Sequence, residues 1–391
     1  MKQEVHAQAR YQDLDDSSVF KTQVCGTGLM QGKLMQKPQR EFTRVREDER
    51  HLSLVTRRRG SAPARAAAAF LSCNRMSSQF VGISSTERTI MDNVLYQEVW
   101  AAYMGTESPI CRPWVGMRLY VGKKKKRIIV IDKWGDCLAG LNLSEGHRTR
   151  RHDQFKWTLA AQCQWANYDV GVEAMNKFLP LIKQRKKFNK QKHRQRQGLV
   201  PDIIDIKRQC FMDIKTISFC SSRYGPARFR NANQSDAVEF RADHVNTECI
   251  ATAKEVDKKF NGIDYDKDGP VLQCLQSYGK VEGFVVGAHG ECNQDLQDFI
   301  QRIADQGALS RFREMGFKSP LDARSTILSQ IYLSLGIEAI RGVARIRVAN
   351  LSLVLAGSKS RKAAAARRSA AKALFAEQSL AYWHRHRYFD D

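Results

Sequence analysis

The sequence lacks the short motifs that mark several common classes of enzyme. It contains neither the Gly-x-x-x-x-Gly-Lys-[Ser/Thr] loop of nucleotide hydrolases nor the His-Glu-x-x-His helix of zinc proteases. Its 10 cysteines include no Cys-x-x-Cys pair, which argues against a zinc ribbon. Because the N-terminus does not resemble a signal peptide, we expect reduced thiols and an intracellular protein, either nuclear or cytoplasmic.

The sequence also lacks a long hydrophobic run without charges. Its most apolar late stretch, residues 327–356, is interrupted by Glu338, Arg341, Arg345 and Arg347. A membrane-spanning helix needs about 20 consecutive, mostly apolar residues. We therefore expect a soluble protein with no membrane span.

Acidic residues are scarce relative to basic ones. Among 391 residues, 64 Lys and Arg stand against 41 Asp and Glu, which gives a formal net charge of +23. Such an excess creates a positive field, and its commonest partner is a polyanion. We expect nucleic acid rather than a membrane surface, because no basic amphipathic helix is accompanied by a lipidation signal.

Changes in composition divide the chain into four segments. Residues 1–88 are polar and aperiodic, which predicts a disordered basic N-terminal arm. Residues 89–156 open with helical spacing and continue with two β-rich runs around the basic residues 123–127, which predicts a helix and a β-hairpin. Residues 157–318 are the predicted α/β core. Residues 319–391 are predicted to form a helical, basic C-terminal extension that ends in an aromatic and basic cluster.

The core is predicted to begin with one long amphipathic helix over residues 157–182, which contains Glu173. A basic run follows at residues 183–197, with eight Lys or Arg and no acid. A block this dense is usually solvated, but its position just before the next segment favours contact with a phosphate backbone. The candidate contact residues are Arg185, Lys186, Lys187, Lys190, Lys192, Arg194 and Arg196.

The next segment, "LVPDIIDIKRQCFMDIKTISF" (residues 199–219), places charges inside two apolar runs. Charges are costly to bury unless they are compensated. The pattern predicts strands over residues 199–206 and 210–218, joined by a turn. Because side chains alternate along a strand, Asp213 and Lys215 share one face of the second strand.

Pairing of these two strands would bring Asp202 towards Asp213. Two such carboxylates suit Mg²⁺ or Mn²⁺, since Mg²⁺ prefers hard oxygen ligands and keeps several waters. The metal would generate a nucleophile from water and stabilise charge on phosphate. In this hypothesis Asp202 and Asp213 are the ligands, and Lys215 contacts the attacking water or the phosphate.

The pattern Pro201-Asp202, ten residues, Asp213-Ile214-Lys215 resembles the signature of the PD-(D/E)xK nuclease superfamily. The resemblance implies a restriction-endonuclease-like α/β fold, with a mixed sheet flanked by helices. It also implies magnesium-dependent hydrolysis of DNA phosphodiester bonds. Asp202 and Asp213 would then bind the metal, and Lys215 would activate water or contact phosphate.

Two further features of that superfamily are matched less well. Many members carry an acidic residue on the helix before the first strand, and the resemblance implies Glu173 for this catalytic position. The Gln-Tyr motif of some exonuclease branches has no clean counterpart, because Gln273 and Tyr278 are five residues apart. The resemblance extends at most over residues 157–306.

Other patterns in the chain compete with this interpretation. Asp205-Ile206-Lys207 and Asp257-Lys258-Lys259 are also Asp-x-Lys triplets. We prefer Asp213-Ile214-Lys215 because apolar residues embed it in a strand, whereas Lys207 runs into the predicted turn. The structural alternative is a salt bridge between Asp213 and Lys215 without catalysis.

An Asp-rich segment at residues 264–275 resembles the first half of an EF-hand calcium loop. Its twelfth position is Leu275, where a bidentate Glu is needed, so a surface turn is the better interpretation.

At the level of function, the alternatives to a nuclease are a non-catalytic nucleic-acid-binding protein with a degenerate core and an RNA-associated structural protein that uses its basic tail.

Overall fold

The computed structural model describes Met76 and residues 91–104, 106–121, 127–139, 145–173, 175–189, 201–218, 237–356 and 365–374. All of them belong to one unit of the chain, Ala68–Asp391. The predicted disordered arm, apart from Met76, and the aromatic end of the chain lie outside the described residues. The hairpin tip at residues 122–126 lies outside them as well.

The described residues form helices and two sheets. The helices are α1 (Asn93–Met104), α2 (Asp136–Ala139), α3 (Glu145–Trp165), α4 (Met175–Phe178), α5 (Arg185–Asn189), α6 (Ala237–Asp243), α7 (Val245–Val256), α8 (Pro270–Ser277), α9 (Gln294–Arg311), α10 (Pro320–Leu355) and α11 (365–374), with a π-helical turn at Asp257–Asn261. The strands are β1 (Arg118–Val121), β2 (Arg127–Val130), β3 (Val170–Val172), β4 (Ile203–Asp205), β5 (Cys210–Thr216) and β6 (Glu282–Val286).

The larger sheet has four strands in the order β3-β4-β5-β6. The first three strands are antiparallel neighbours, and β6 runs parallel to β5. The parallel pairing requires a crossover, which the helices α6, α7 and α8 provide. The expected mixed α/β sheet flanked by helices is therefore confirmed.

Each face of this sheet is covered by helices because its central strands are apolar on both sides. Ile203 of β4 and Met212 of β5 are register partners and join the cluster formed with α3, α9 and α10. Ile204 and Phe211 point the other way, into a cluster with α7 and α8. This three-layer arrangement buries the charged strands predicted from the sequence.

The predicted helix over residues 157–182 is wrong in position. The helix is α3, Glu145–Trp165, and the chain then turns through Asn167, whose φ is 54°, into β3. Glu173 follows β3 directly and also has a positive φ, 52°. Left-handed conformations end a right-handed helix, so the apolar spacing that suggested one long helix belongs to the end of α3, to β3, to α4 and to the 3-10 turn Leu179–Leu181.

The segment expected to be a C-terminal extension contributes much of the core. Helix α10 packs against α9, α3 and α1, and Ile327, Ile331 and Leu335 are fully buried. By length and composition α10 could cross a membrane, but 72% of its most apolar window is buried inside the protein. That burial is characteristic of the core helix of a soluble protein.

Other sequence predictions are confirmed element by element. Helix α1 and the β1–β2 hairpin lie in the predicted helix-and-hairpin segment. The Asp-rich segment is an exposed turn at Asp264, Asp266 and Asp268.

Candidate active site

The site lies beside residues 213–216 of β5, the part of this strand that β4 does not reach. Ile203, the first residue of β4, pairs with Met212, so residues 213–216 of β5 pair only with β6. Asp202 lies along the edge of β5 that β4 leaves unpaired. Its Oδ2 accepts a hydrogen bond of 2.9 Å from the Ile214 N–H, a donor that a longer β4 would have satisfied.

Asp213 and Lys215 project from the same face of β5, as the alternation predicts. The Lys215 Nζ lies 2.5 Å from Asp213 Oδ2, and the Cys249 Sγ of α7 lies 3.9 Å from the same oxygen. Asp213 is 5% exposed. Burial raises the pKa of Asp213, contact with Asp202 raises it further, and the Lys215 charge opposes both effects. The structure thus brings together the three predicted residues Asp202, Asp213 and Lys215.

Helix α3 contributes a histidine that the sequence analysis missed. The His152 Nε2 lies 2.9 Å from Asp202 Oδ2 and 3.0 Å from the Ile214 carbonyl oxygen. Its Nδ1 lies 3.2 Å from Asp153 Oδ1. Both ring nitrogens face oxygen atoms, and a doubly protonated ring would donate to both of them. Burial lowers the pKa of His152, but its hydrogen bonds to Asp153 and Asp202 raise it to about 9.

Lys156, one helical turn after His152, is the second missed residue. Its Nζ lies 2.5 Å from Glu173 Oε1, 3.6 Å from Asp202 Oδ1 and 3.7 Å from Asp153 Oδ1. Glu173 reaches this position because its backbone N–H donates to the Asp202 carbonyl oxygen at 3.0 Å. Glu173 is therefore near the site as expected, but it comes from the end of β3 and not from the preceding helix.

The two aspartates differ in their electrostatic surroundings. Burial raises the pKa of Asp202, but the hydrogen bond from His152, the charges of His152 and Lys156, and the Ile214 N–H together lower it below the usual range. Asp213 has only Lys215 as a charged partner of opposite sign among these groups, and its pKa is raised. Of the two carboxyls, Asp202 is therefore the one whose pKa is lowered, and Asp213 the one whose pKa is raised, chiefly by burial.

The competing Asp-x-Lys triplets have structural partners. Asp205 is fully buried, and its carboxylate accepts from the Tyr168 hydroxyl at 2.6 Å and from the Arg208 N–H at 3.0 Å, while Lys207 is exposed on the turn. The carboxylate of Asp257 accepts from the Leu272 N–H at 2.9 Å and so caps α8. These contacts favour Asp213-Ile214-Lys215 as the functional triplet.

A sequence signal for the missed residues exists in "HDQFK". His152 and Lys156 are spaced i and i+4, which places them on one face of a helix. The predicted helix began at residue 157, so these residues were assigned to the preceding segment. Their partners, Asp202 and Glu173, are 50 and 17 residues away in sequence, a separation that local spacing does not reveal.

Only part of the predicted basic contact run is described. Arg185, Lys186 and Lys187 are exposed on the short helix α5, where Arg185 Nη2 donates to the Pro180 carbonyl oxygen at 2.9 Å. Lys190, Lys192, Arg194 and Arg196 lie outside the described residues. Phe188 anchors α5 by packing against Phe260 at a centroid distance of 5.2 Å.

The donor set bears on which cation the site would accept. Within the described ranges, no group of three or more His, Cys, Asp and Glu is arranged to hold a metal ion. The adjacent carboxylates of Asp202 and Asp213 are hard oxygen donors, which suit Mg²⁺ or Mn²⁺ because such ions retain waters and need few protein ligands.

Comparison with protein-family models, with curated proteins and with solved structures found no match.

Proposed function

We propose that the chain is a metal-dependent nuclease that hydrolyses DNA phosphodiester bonds. The observation that carries the proposal is the meeting of Asp202, Asp213 and Lys215 in the gap beside β5. The element order helix, three strands, helices and parallel strand supports a restriction-endonuclease-like core. The net charge of +23 supports a polyanionic substrate.

Asp202 and Asp213 would hold Mg²⁺ or Mn²⁺ in this proposal. The proximity of the two carboxyls supports the assignment, since Asp202 raises the pKa of Asp213 and a cation would relieve the repulsion between the two carboxylates. When bound, the ion supplies an activated water and stabilises the charge that develops on the phosphate. Asp213 is 5% exposed, and the Cys249 Sγ of α7 lies 3.9 Å from its Oδ2.

Lys215 acts in this proposal as a fixed cation at the mouth of the site. Burial lowers its pKa, but attraction to Asp213 raises it above the usual value, so the ammonium remains charged at neutral pH. Its side chain is 28% exposed, which allows contact with a phosphate oxygen or the attacking water. A charged ammonium cannot accept a proton, so Lys215 orients and stabilises rather than serving as a general base.

A second candidate, a non-catalytic nucleic-acid-binding protein, is supported by a different observation. Asp202 Oδ2 already accepts from His152 and the Ile214 N–H, and Lys156 faces its other oxygen. A carboxylate so fully compensated does not need a metal. In this version the ion cluster is structural, and the basic charge of the chain binds the polyanion.

The deciding experiment is cleavage of supercoiled plasmid and linear DNA in Mg²⁺ or Mn²⁺. We expect Asp213→Asn and Lys215→Ala to lower the cleavage rate by about 100-fold or more, since the first removes a proposed metal ligand and the second a cation that contacts the phosphate or the attacking water. Lys207→Ala is the matched control, because it changes the lysine of the neighbouring Asp-x-Lys triplet on the exposed turn. This control should cleave like the wild type.

A thermal unfolding series with Mn²⁺ separates the two candidates independently of cleavage. The proposed nuclease is stabilised by Mn²⁺ because the ion binds only the folded state, and Asp213→Asn loses that stabilisation. The opposite result would establish the non-catalytic candidate. In that case the wild type binds DNA without cutting it, its unfolding temperature does not change with Mn²⁺, and it behaves like Asp213→Asn in every assay.

A further inference from the structure

The β1–β2 hairpin exposes an apolar face that the proposed chemistry does not use. Ile128 and Val130 are two residues apart on β2, so they point to the same side, and they are 53% and 50% exposed. Ile129 and Ile131 point to the opposite side, where they are buried in a cluster with Leu351 of α10. One face of the hairpin therefore holds it on the protein, and the other faces solvent.

The charges of this part of the chain are mostly basic. Residues 106–135 contain eight Lys and Arg and two acids. Both acids have partners nearby, since Glu107 forms an ion pair with Lys133 at 3.2 Å and the Asp132 carboxylate accepts from two backbone N–H groups. The balance of charge complements a polyanion and disfavours, through repulsion, a second copy of the same basic segment.

The hairpin is attached at the end of β5 that carries the candidate active site. Helix α2 follows β2, and its Ala139 packs in one cluster with Ile217 and Val285. Ile217 lies two residues after Lys215, and Val285 is the register partner of Lys215. A polymer bound along the hairpin is therefore bound next to the site.

The dimensions of the hairpin fit a groove of duplex DNA. Each strand has four residues, which span about 13 Å, and neighbouring strands lie about 5 Å apart. The major groove of B-form DNA is about 12 Å wide, admits a two-stranded ribbon and displays the apolar methyl group of thymine. Double-stranded RNA offers no such partner, because its major groove is deep and narrow and uracil lacks the methyl group.

We propose that the exposed face of the β1–β2 hairpin binds the major groove of double-stranded DNA, so that the substrate is duplex DNA and not RNA. The inference rests on the proposed function, because it names the substrate class of that same site. Ile128 and Val130 contact the edges of bases in this scheme. Arg118, the exposed register partner of Val130, contacts the phosphate backbone.

The test is binding of the full chain to short duplexes in EDTA, which prevents metal-dependent cleavage, measured by fluorescence anisotropy. The probes are a DNA duplex rich in A·T pairs, the same duplex with deoxyuridine in place of thymidine, and an RNA duplex of the same sequence. We expect the wild type to bind the thymidine duplex most tightly. Loss of the thymine methyl groups should weaken its binding at least about fourfold, the effect of one buried methyl group.

The double variant Ile128→Thr and Val130→Thr keeps β-branched side chains on the strand and removes the apolar face. We expect it to bind the thymidine and deoxyuridine duplexes equally and more weakly than the wild type binds the thymidine duplex. Leu321→Gln is the matched control, because Leu321 is an apolar residue of α10 that is 79% exposed. This control should keep the wild-type preference among the three duplexes.

The wild-type comparison is decisive even where the double variant does not fold, which circular dichroism would reveal. A wild type that binds the three duplexes equally overturns the inference, and plasmid cleavage by the same protein leaves the proposed nuclease intact. A folded double variant that keeps the wild-type preference also overturns it. In that case, loss of binding to anionic vesicles or loss of dimers in the variant would assign the face to a membrane or to a second copy. No binding to any duplex overturns the inference, and absence of plasmid cleavage as well overturns the proposed function with it.

Discussion

At the scale of single residues, the site is a cluster of ions whose protonation is set by geometry. His152 illustrates this, because each of its ring nitrogens faces an oxygen acceptor within 3.2 Å. The same reasoning explains the contrast between Asp202, which has several donors, and Asp213, which relies on Lys215. Residue identity alone does not determine these charges, since each depends on partners far away in sequence.

We predict that His152→Gln changes the pH dependence of stability. The folded-state pKa of His152, about 9, lies above its ordinary value of 6.5. A raised pKa of this kind contributes stability that is present in full below pH 6.5 and is lost as the pH rises through 9. Relative to the variant, the wild type should therefore lose on the order of 2–3 kcal/mol of unfolding free energy between those limits.

Urea unfolding at pH 6 and at pH 9.5 measures this difference. His244→Gln is the matched control, because His244 is an exposed histidine whose Nδ1 bonds to the Phe240 carbonyl oxygen within its own helical segment. A His152→Gln protein whose unfolding free energy follows the wild-type curve at both pH values would show that His152 is not held as an imidazolium.

At the scale of elements, the site depends on close packing between β6 and the helices that cross to it. Gly283 of β6 is the register partner of Asp213. A Cβ at this position would lie 2.8 Å from Val245 Cγ2 and 2.9 Å from the Ala242 carbonyl oxygen. Backbone cannot give way as a flexible side chain can, so only glycine lets α6 and α7 approach the strand beside the site.

We predict that Gly283→Ala destabilises the protein by about 1–3 kcal/mol, because the added methyl group overpacks a buried helix–strand contact. It should also weaken Mn²⁺ binding, since α7 moves relative to Asp213. Gly146→Ala on α3 is the matched control, because nothing lies within 4 Å of a Cβ there and alanine favours the helix. Thermal unfolding and Mn²⁺ titration of both variants test this, and equal behaviour of the two would contradict it.

At the scale of the whole described unit, α10 joins parts that the sequence separates. It packs on α3, which carries His152 and Lys156, and on α9 and α1. Its Arg347 forms a 3.8 Å ion pair with the buried Glu98 of α1. Arg151 of α3 donates in turn to the carbonyl oxygens of Ala339 on α10 and of Ile217 after β5. The site and the C-terminal helix are therefore parts of one packed structure.

We predict that a chain ending at residue 318 does not fold. Removing α10 exposes the cluster that covers one face of the sheet, and the buried side chains of Ile327, Ile331 and Leu335 are lost from it. A chain ending at residue 374 is the control, because it keeps every described element. Circular dichroism and urea unfolding compare the two chains, and a cooperative transition in the shorter one would contradict the prediction.

The hairpin that carries the site was predictable because its signal is local. The apolar residues Phe211, Ile214 and Ile217 predict a strand, and the alternation of side chains along it places Asp213 and Lys215 on one face. The helix before it was misplaced because apolar spacing continues from Trp165 past the turn at Asn167, whose positive φ has no distinctive signal in the sequence. His152 and Lys156 were missed as a result.

The sequence by itself determined the strand pair, the pairing of Asp213 with Lys215, and the strongly positive charge, since each follows from neighbouring residues or from composition. Tertiary structure decided which groups surround those residues. Only folding brings α3 against the open edge of β5, so that His152 and Lys156 meet Asp202 and Glu173. It also decided that α10 belongs to the core. The reason is physical: charge compensation and burial depend on distances in space, which side-chain periodicity along the chain does not specify.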